Sequence, residues 1–401
     1  MSRTHDLVLF GATGFTGRLT AEYLAAHAPA DCRWALAGRS MEKLEDVRRR
    51  LAAIRPECAE LPLLCVDASD GPALRRLAAD TRVVATTVGP YRQYGGPLVA
   101  ACAEEGTDYA DLTGEPEFVD TVYLRHHERA RQTGARLVHA CGFDAVPHDL
   151  GVLYTVRHLP EGVPLRVDGH VRAQGTFSGG TLASALDAFS RGPQTARAAK
   201  ARRRAEQQPE GRRLSSAPGP LRRVGVLRSW AVPLPTIDPR IVIRSAAALD
   251  RYGPDFHYRH AAAVRRLPVA LAGSAAVAAV AALAQLPAAR RALSGRLPAG
   301  QGPDAEQRAR NWFWVRFIGE GGGRRVYTEV SGGDPGYGET AKMLAESALC
   351  LAFDDLPATA GQVTTAVAMG DALTARLQRA GVRFRLVRTE DQPASTQPPT
   401  T

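Results

Sequence analysis

Glycines 11, 14 and 17, in Gly11-Ala12-Thr13-Gly14-Phe15-Thr16-Gly17, follow a short apolar run directly and open a helical one. Phosphate binding needs that spacing. The first glycine permits a tight turn, the second lets the backbone approach a pyrophosphate, and the third lets helix and strand pack closely. The helix N-terminus then offers unpaired N–H groups and a favourable dipole to the anion. A glycine motif alone marks many turns, but the strand before this one and the helix after it make it a dinucleotide site.

The choice of dinucleotide is read at the end of the second strand, Gly38-Arg39-Ser40, with no acid before Glu42. NAD enzymes usually place a carboxylate there for the ribose 2′-hydroxyl, which would repel a 2′-phosphate. Arg39 suits that phosphate instead, assisted by the Ser40 hydroxyl and N–H, so NADP(H) is the expected cofactor. A merely solvated Arg39 is the plain alternative. Asp67, closing the third strand, is a candidate for the adenine edge, with helix capping as its other role. Val88, Gly89 and Pro90 end the fourth strand, on the side where the nicotinamide belongs.

Candidates for the reaction itself lie at the same edge. The chain has three lysines, and four positions before Lys43, Lys200 and Lys342 stand Arg39, Ala196 and Gly338, so the Tyr-x-x-x-Lys pair of short-chain dehydrogenases is absent. Tyr91, after the Gly89-Pro90 turn, is a candidate hydrogen-bond donor, with packing against the cofactor weighted equally. His148 has the acid–base range for proton transfer. Asp144 either orients that imidazole or caps the turn before it, and capping is the preferred reading. Asp111 and Glu115 read as structural hydrogen-bonding groups, and Ser178–Thr181 as a substrate contact or a helix cap. The six cysteines form no C-x-x-C pair and no zinc-spaced cluster. They read as small buried hydrophobes in a reducing compartment, and no metal is expected.

The elements that must hold these residues alternate strand and helix about six times over residues 1–150. Strands are expected at Asp6–Phe10, Arg33–Gly38, Leu61–Val66, Val83–Val88, Tyr109–Leu112 and Arg136–Cys141, and helices include Pro97–Glu105 and Glu117–Gln132. The fold class is α/β, a Rossmann-type doubly wound parallel sheet, with a second α+β domain over 151–390 containing a mostly antiparallel sheet. Strand alternation at 165–180 and 312–331, with a hairpin turn at Gly319–Gly323, marks that domain. Helices dominate from Gly338 to Ala380 and are expected to pack back on the first domain. Residues 191–223 carry ten basic side chains against two glutamates and read as a mobile surface insertion. Residues 391–401 read as a disordered tail.

Leu267–Leu286 holds no charge across twenty residues, between Arg265-Arg266 and Arg290-Arg291. Alanine dilutes it, so a buried or membrane-surface helix is preferred to a span. Peripheral membrane contact through 267–286 therefore stays open. The net charge of +10 reflects arginine-rich usage, since all but three of 51 basic residues are arginine. No nucleic-acid motif accompanies it, and no nucleic-acid partner is expected. No secretory signal begins the sequence, so the expected location is cytoplasmic, with the inner face of the plasma membrane open. A homodimer also stays open.

Several motifs carry a resemblance. Gly11–Gly17, Ala37–Ser40, Gly89–Gly95, Asp108–Glu115 and Cys141–Gly151 resemble the saccharopine dehydrogenase-like oxidoreductases. Ser178–Thr181, Phe317–Gly323 and Ser331–Lys342 are similar to their trans-acting enoyl reductase branch. The resemblance implies an enzyme that reduces an enoyl double bond on a hydrophobic acyl or polyketide substrate. That substrate would be carrier-protein bound and supplied by a synthase without its own reductase. Saccharopine-type chemistry at the C–N bond of an amino acid is the alternative, and a non-catalytic NADP-binding membrane scaffold is a third.

Overall fold

The computed structural model describes residues 3–175, 187, 189–234, 236–286 and 302–391. Its first unit starts from β1 (His5–Phe10), whose last four residues are wholly buried. Leu7 and Leu9 face one apolar layer while Val8 and Phe10 face the other. A strand covered on both faces reads as a continuous apolar run, as parallel sheets require. There follow α1 (Phe15–His27), β2 (Trp34–Gly38), α2 (Met41–Ala52), β3 (Leu63–Cys65) and α3 (Gly71–Ala79). Then come β4 (Thr81–Thr86), α4 (Tyr91–Glu105), β5 (Asp108–Asp111), α5 (Pro116–Thr133), β6 (Arg136–Val138) and α6 (Val146–Val156).

The helix expected at Pro97–Glu105 thus begins six residues earlier, at Tyr91. Its first two N–H groups, from Tyr91 and Arg92, donate to the Glu115 carboxylate at 2.9 Å each. A partner 23 residues downstream supplies the cap that local sequence lacks.

Strands β7 (Leu165–Gln174), β8 (Arg213–Ser216), β9 (Arg222–Val224), β10 (Ser229–Pro233), β11 (Asp255–Val264), β12 (Trp312–Gly321) and β13 (Arg324–Gly332) build the second sheet. Helices α7 (Gly192–Ala205), α8 (Asp238–Ala248), α9 (Leu267–Ala284) and α10 (Ala305–Arg310) interrupt it. After α11 (Gly338–Phe353) come β14 (Gly361–Val363), α12 (Thr365–Ala368), α13 (Gly370–Arg379) and β15 (Arg383–Asp391).

The first sheet runs β14-β6-β5-β4-β1-β2-β3, all parallel, the doubly wound order with one strand added from far along the chain. The second runs β15-β13-β12-β7-β11-β10-β9, with β8 also on β11, and most of its pairs are antiparallel. Among the described residues, only the β7–β11 and β8–β11 pairs in it are parallel. The hairpin between β12 and β13 turns at Gly322 and Gly323, both at positive φ.

Helix α6 leaves the first sheet and lies on the second. A Cβ at Gly151 would come within 2.4 Å of the Phe317 ring, so glycine sets that close approach. Asp149, on the same helix, accepts hydrogen bonds from Thr365 Oγ1 at 2.7 Å, from Ala366 N at 2.8 Å and from the Ser245 hydroxyl. Between residues 191 and 223 the chain forms α7, β8 and β9, with Arg202 of α7 buried over the Tyr123 ring. Residues 392–401, most of the expected tail, lie outside the described residues.

Candidate functional site

The glycine loop sits where β1 ends and α1 begins. Gly11 holds φ +89°, a left-handed conformation that glycine adopts without penalty. A Cβ there would stand 2.6 Å from Val88 Cγ2, and one at Gly17 would stand 2.1 Å from the Gly11 carbonyl oxygen. Protein packing therefore requires both. Gly14 differs: its Cβ would meet only Gly11 O, at 3.4 Å, an ordinary contact. The exposed backbone at Gly14 is a cradle that a side chain would fill, and a pyrophosphate needs it kept open. Gly14 caps α1 with no side-chain hydrogen bond, and no acidic residue stands in the first turn, which suits an anion.

Around this loop, Ala12 is buried, while Thr13, Phe15 and Thr16 are half-buried. Thr87 Oγ1 donates to Gly11 O at 3.1 Å and ties the loop to the end of β4. The Phe15 ring meets Tyr337 edge-on at 4.9 Å, so the loop also touches the segment leading into α11. Arg39 is exposed just past β2, and Ser40 caps α2, its hydroxyl accepting from Lys43 N at 3.4 Å. Asp67 is exposed after β3 and accepts from Ser69 N at 2.9 Å and Ser69 Oγ at 2.6 Å. Those bonds, with a smaller contribution from the Arg39 charge, hold its carboxyl below the usual range. Arg39, Ser40 and Asp67 share the β2–β3 end of the sheet, and Val88, Gly89 and Pro90 follow β4.

Tyr91, weighed equally as a donor and as packing against the cofactor, makes its hydrogen bonds within the protein. Its hydroxyl donates to Thr86 O at 3.0 Å and accepts from Leu112 N at 3.1 Å, and the side chain is 6% exposed against Phe118. Burial first, and the Asp111 charge second, push the phenol well above its usual range. The group is committed to joining the ends of β4 and β5. Asp111 is equally committed, accepting from Tyr109 Oη, Thr113 N and Ala140 N at 3.0 Å each, with His139 Nδ1 at 2.7 Å.

Asp144 stands in the loop between β6 and α6, on an exposed part of the surface. Its Oδ2 lies 3.0 Å from the position of a Cβ built on Gly114. Desolvation, with the Asp238 charge second, raises its carboxyl to about 7. It neither caps α6, which has no side-chain cap, nor bonds His148. His148 is 3% exposed, and burial lowers its imidazole to about 3, so it is neutral at neutral pH. Its neighbours are Asp238, 3.8 Å from Nε2, and His260, with ring centroids 4.6 Å apart. Neither reading of Asp144, the preferred cap or the partner of His148, describes its position, and His148 instead joins a His148–Asp238–His260 cluster that no spacing in the sequence links. Residues Ser178–Thr181 lie outside the described residues.

Residues 7–138 match the family model described as the saccharopine dehydrogenase NADP binding domain. A provisionally named trans-acting enoyl reductase of Mycobacterium tuberculosis is 41% identical over 434 residues, covering 96% of this chain and 98% of that one. Trans-acting enoyl reductase of Mycobacterium leprae is 38% identical over 412 residues, covering 95% and 97%. The chain belongs to the trans-acting enoyl reductase branch of the saccharopine dehydrogenase-like family. Among solved structures, apo saccharopine dehydrogenase (L-Glu forming) from Saccharomyces cerevisiae covers 95% of this chain and 99% of that one. Its TM-score is 0.53 at 12% identity, which shows a shared fold. As a member of this family the chain is an NADP-dependent oxidoreductase, and the open cradle at Gly14 fits that cofactor.

Proposed function

We propose that this oxidoreductase reduces the carbon–carbon double bond of an enoyl thioester on a lipid or polyketide intermediate, presented on a carrier protein by a synthase lacking that activity. The observation carrying this reading is the end-to-end similarity to trans-acting enoyl reductases. The loop Gly11–Gly17 and the start of α1 would hold the pyrophosphate, Arg39 and Ser40 the 2′-phosphate, and Asp67 the adenine edge. Val88, Gly89 and Pro90 would line the nicotinamide side. Bound there, NADPH supplies hydride to the β-carbon.

The α-carbon then needs a proton, and Asp144 is the group suited to give it. With its carboxyl near 7 it is about half protonated at neutral pH, where a general acid works best. His148, neutral and turned to Asp238, is not that donor. Tyr91 acts as a positioning residue that fixes Thr86 and Leu112 at the sheet edge.

NADPH consumption by the purified chain, with an enoyl thioester in one arm and an amino acid plus keto acid in the other, tests the reading. Turnover in the first arm alone is expected. Turnover only in the second establishes C–N chemistry, and binding of NADPH without turnover in either establishes a scaffold.

A second proposal places the enzyme in the cytoplasm against the inner face of the plasma membrane. Supporting it, α9 is long and apolar enough to cross a membrane yet only 11% buried. Val269, Leu271, Val277 and Leu283 are exposed, and so are Arg265 and Arg266 before them. Ala270 and Ala284 are buried, and Gln285 Nε2 donates to Phe189 O at 2.8 Å, so both ends are tied to the domain. Flotation with anionic vesicles should lose most of its bound fraction in the Leu271→Glu, Val277→Glu double variant. Unchanged flotation rejects membrane contact through α9.

A further inference from the structure

We propose that His148, Asp238 and His260 form a site for a divalent first-row transition metal, of the kind zinc occupies. The three groups come from distant parts of the chain. His148 lies in the first turn of α6, Asp238 opens α8, and His260 lies in mid β11. Tertiary packing sets them together at the place where α6 crosses from the first sheet to the second.

The geometry suits one ion. One ligand atom from each residue lies within 4.8 Å of the others. His148 Nε2 stands 3.8 Å from Asp238 Oδ1, and His260 Nε2 stands 3.5 Å from Asp238 Oδ2. Ligand atoms on a tetrahedral zinc are separated by roughly 3.3–3.6 Å, given metal–ligand lengths near 2.0–2.2 Å. The His260–Asp238 separation falls in that range and the His148–Asp238 separation slightly beyond it, each to a different carboxylate oxygen, so an ion would draw the three groups modestly inward. Both separations are too long for hydrogen bonds, so the three groups converge without bonding one another.

Burial sharpens the case. The three residues are 3%, 2% and 4% exposed. Among the described residues, His148 Nδ1 and Asp238 Oδ1 have no hydrogen-bond partner. A buried carboxylate with an unpartnered oxygen carries a desolvation penalty that neutral imidazoles do not offset. Two imidazoles and one carboxylate are a zinc donor set, with a fourth position left for water. A metal here would clamp α6, α8 and β11 together. The inference does not depend on the substrate proposed above, but a cation on Asp238 would lower the Asp144 carboxyl, so its titration at about 7 applies to the metal-free chain.

The test uses the untagged full-length chain, dialysed against chelator and titrated with Co²⁺ as the probe. One equivalent should bind, with the visible absorption of a four-coordinate Co²⁺ centre, and Zn²⁺ should displace it. Asp238→Asn and His260→Gln should each weaken Co²⁺ binding at least about 100-fold, since even loss of an outer-shell partner costs 10–100-fold. NADPH binding reports whether each variant is folded. If one is not, the wild-type stoichiometry and spectrum decide alone. Binding below about one-tenth of an equivalent, or an unchanged affinity in a folded Asp238→Asn variant, overturns the site. The cluster would then be a carboxylic acid held between two imidazoles.

Discussion

A carboxyl group that titrates near neutrality exchanges its proton within the range where enzymes work, and Asp144 owes that property to its surroundings. Desolvation raises its carboxyl to about 7, and the Asp238 charge adds to the rise. The acid form is the donor, so kcat should fall as pH increases through about 7. Asp144→Asn should lose that limb and about 10²-fold or more of kcat, the usual contribution of a general acid. A pH–rate profile unaltered by the substitution would remove Asp144 from the chemistry. Tyr91 gives the opposite forecast. Tyr91→Phe leaves the half-buried Leu112 N–H without its acceptor, which costs about 1 kcal/mol of stability, measured by denaturant unfolding. Its kcat should stay within a few-fold, and a loss near 100-fold would restore the donor role. Residue type pointed to both side chains, but the hydrogen-bond partners separated their roles.

Strand, glycine loop and helix act as one element at the cofactor end, and two of its glycines can be distinguished by what surrounds them. Gly17→Ala forces a Cβ to within 2.1 Å of a carbonyl oxygen, and such overpacking costs about 1–3 kcal/mol or more. Gly14→Ala meets no such obstacle, so its stability should change by less than about 1 kcal/mol. The same Ala methyl would intrude on the pyrophosphate, and NADPH affinity should fall about tenfold or more. Thermal melts with fluorescence titration of both variants check this, and tight NADPH binding by Gly14→Ala would refute it. This element was legible because its turn, its spacing and the start of its helix lie within seven consecutive residues, Gly11–Gly17. The start of α4 was not, because the Glu115 carboxylate that caps it comes from the far end of β5.

Across the whole molecule the two sheets depend on each other through the chain's return. After the second sheet, α11 covers the β1, β4 and β5 face beside α1, and β14 pairs in parallel with β6 from Gly361↔Arg136 onward. Arg136 Nη2 also donates to Leu351 O at 3.1 Å. A fragment of residues 1–150 alone would leave that apolar face uncovered and β6 as an open edge. It should be aggregated or molten, with weak near-ultraviolet circular dichroism, whereas the full chain unfolds cooperatively. A monomeric, NADPH-binding fragment would show the return to be dispensable.

The sequence by itself determined what short-range periodicity encodes. That includes the alternation of buried strands and helices, the glycine spacing at 11, 14 and 17, and the arginine that favours a 2′-phosphate. Each of these is a relation between residues a few positions apart, fixed by helix and strand geometry. Only the tertiary structure decided which buried polar groups meet. It placed Tyr91 between Thr86 and Leu112, separated Asp144 from His148, and brought His148 to Asp238, 90 residues on, and to His260, 112 residues on. A buried donor or acceptor takes whatever partner packing delivers, and packing is set by the sheets and helices as assembled bodies.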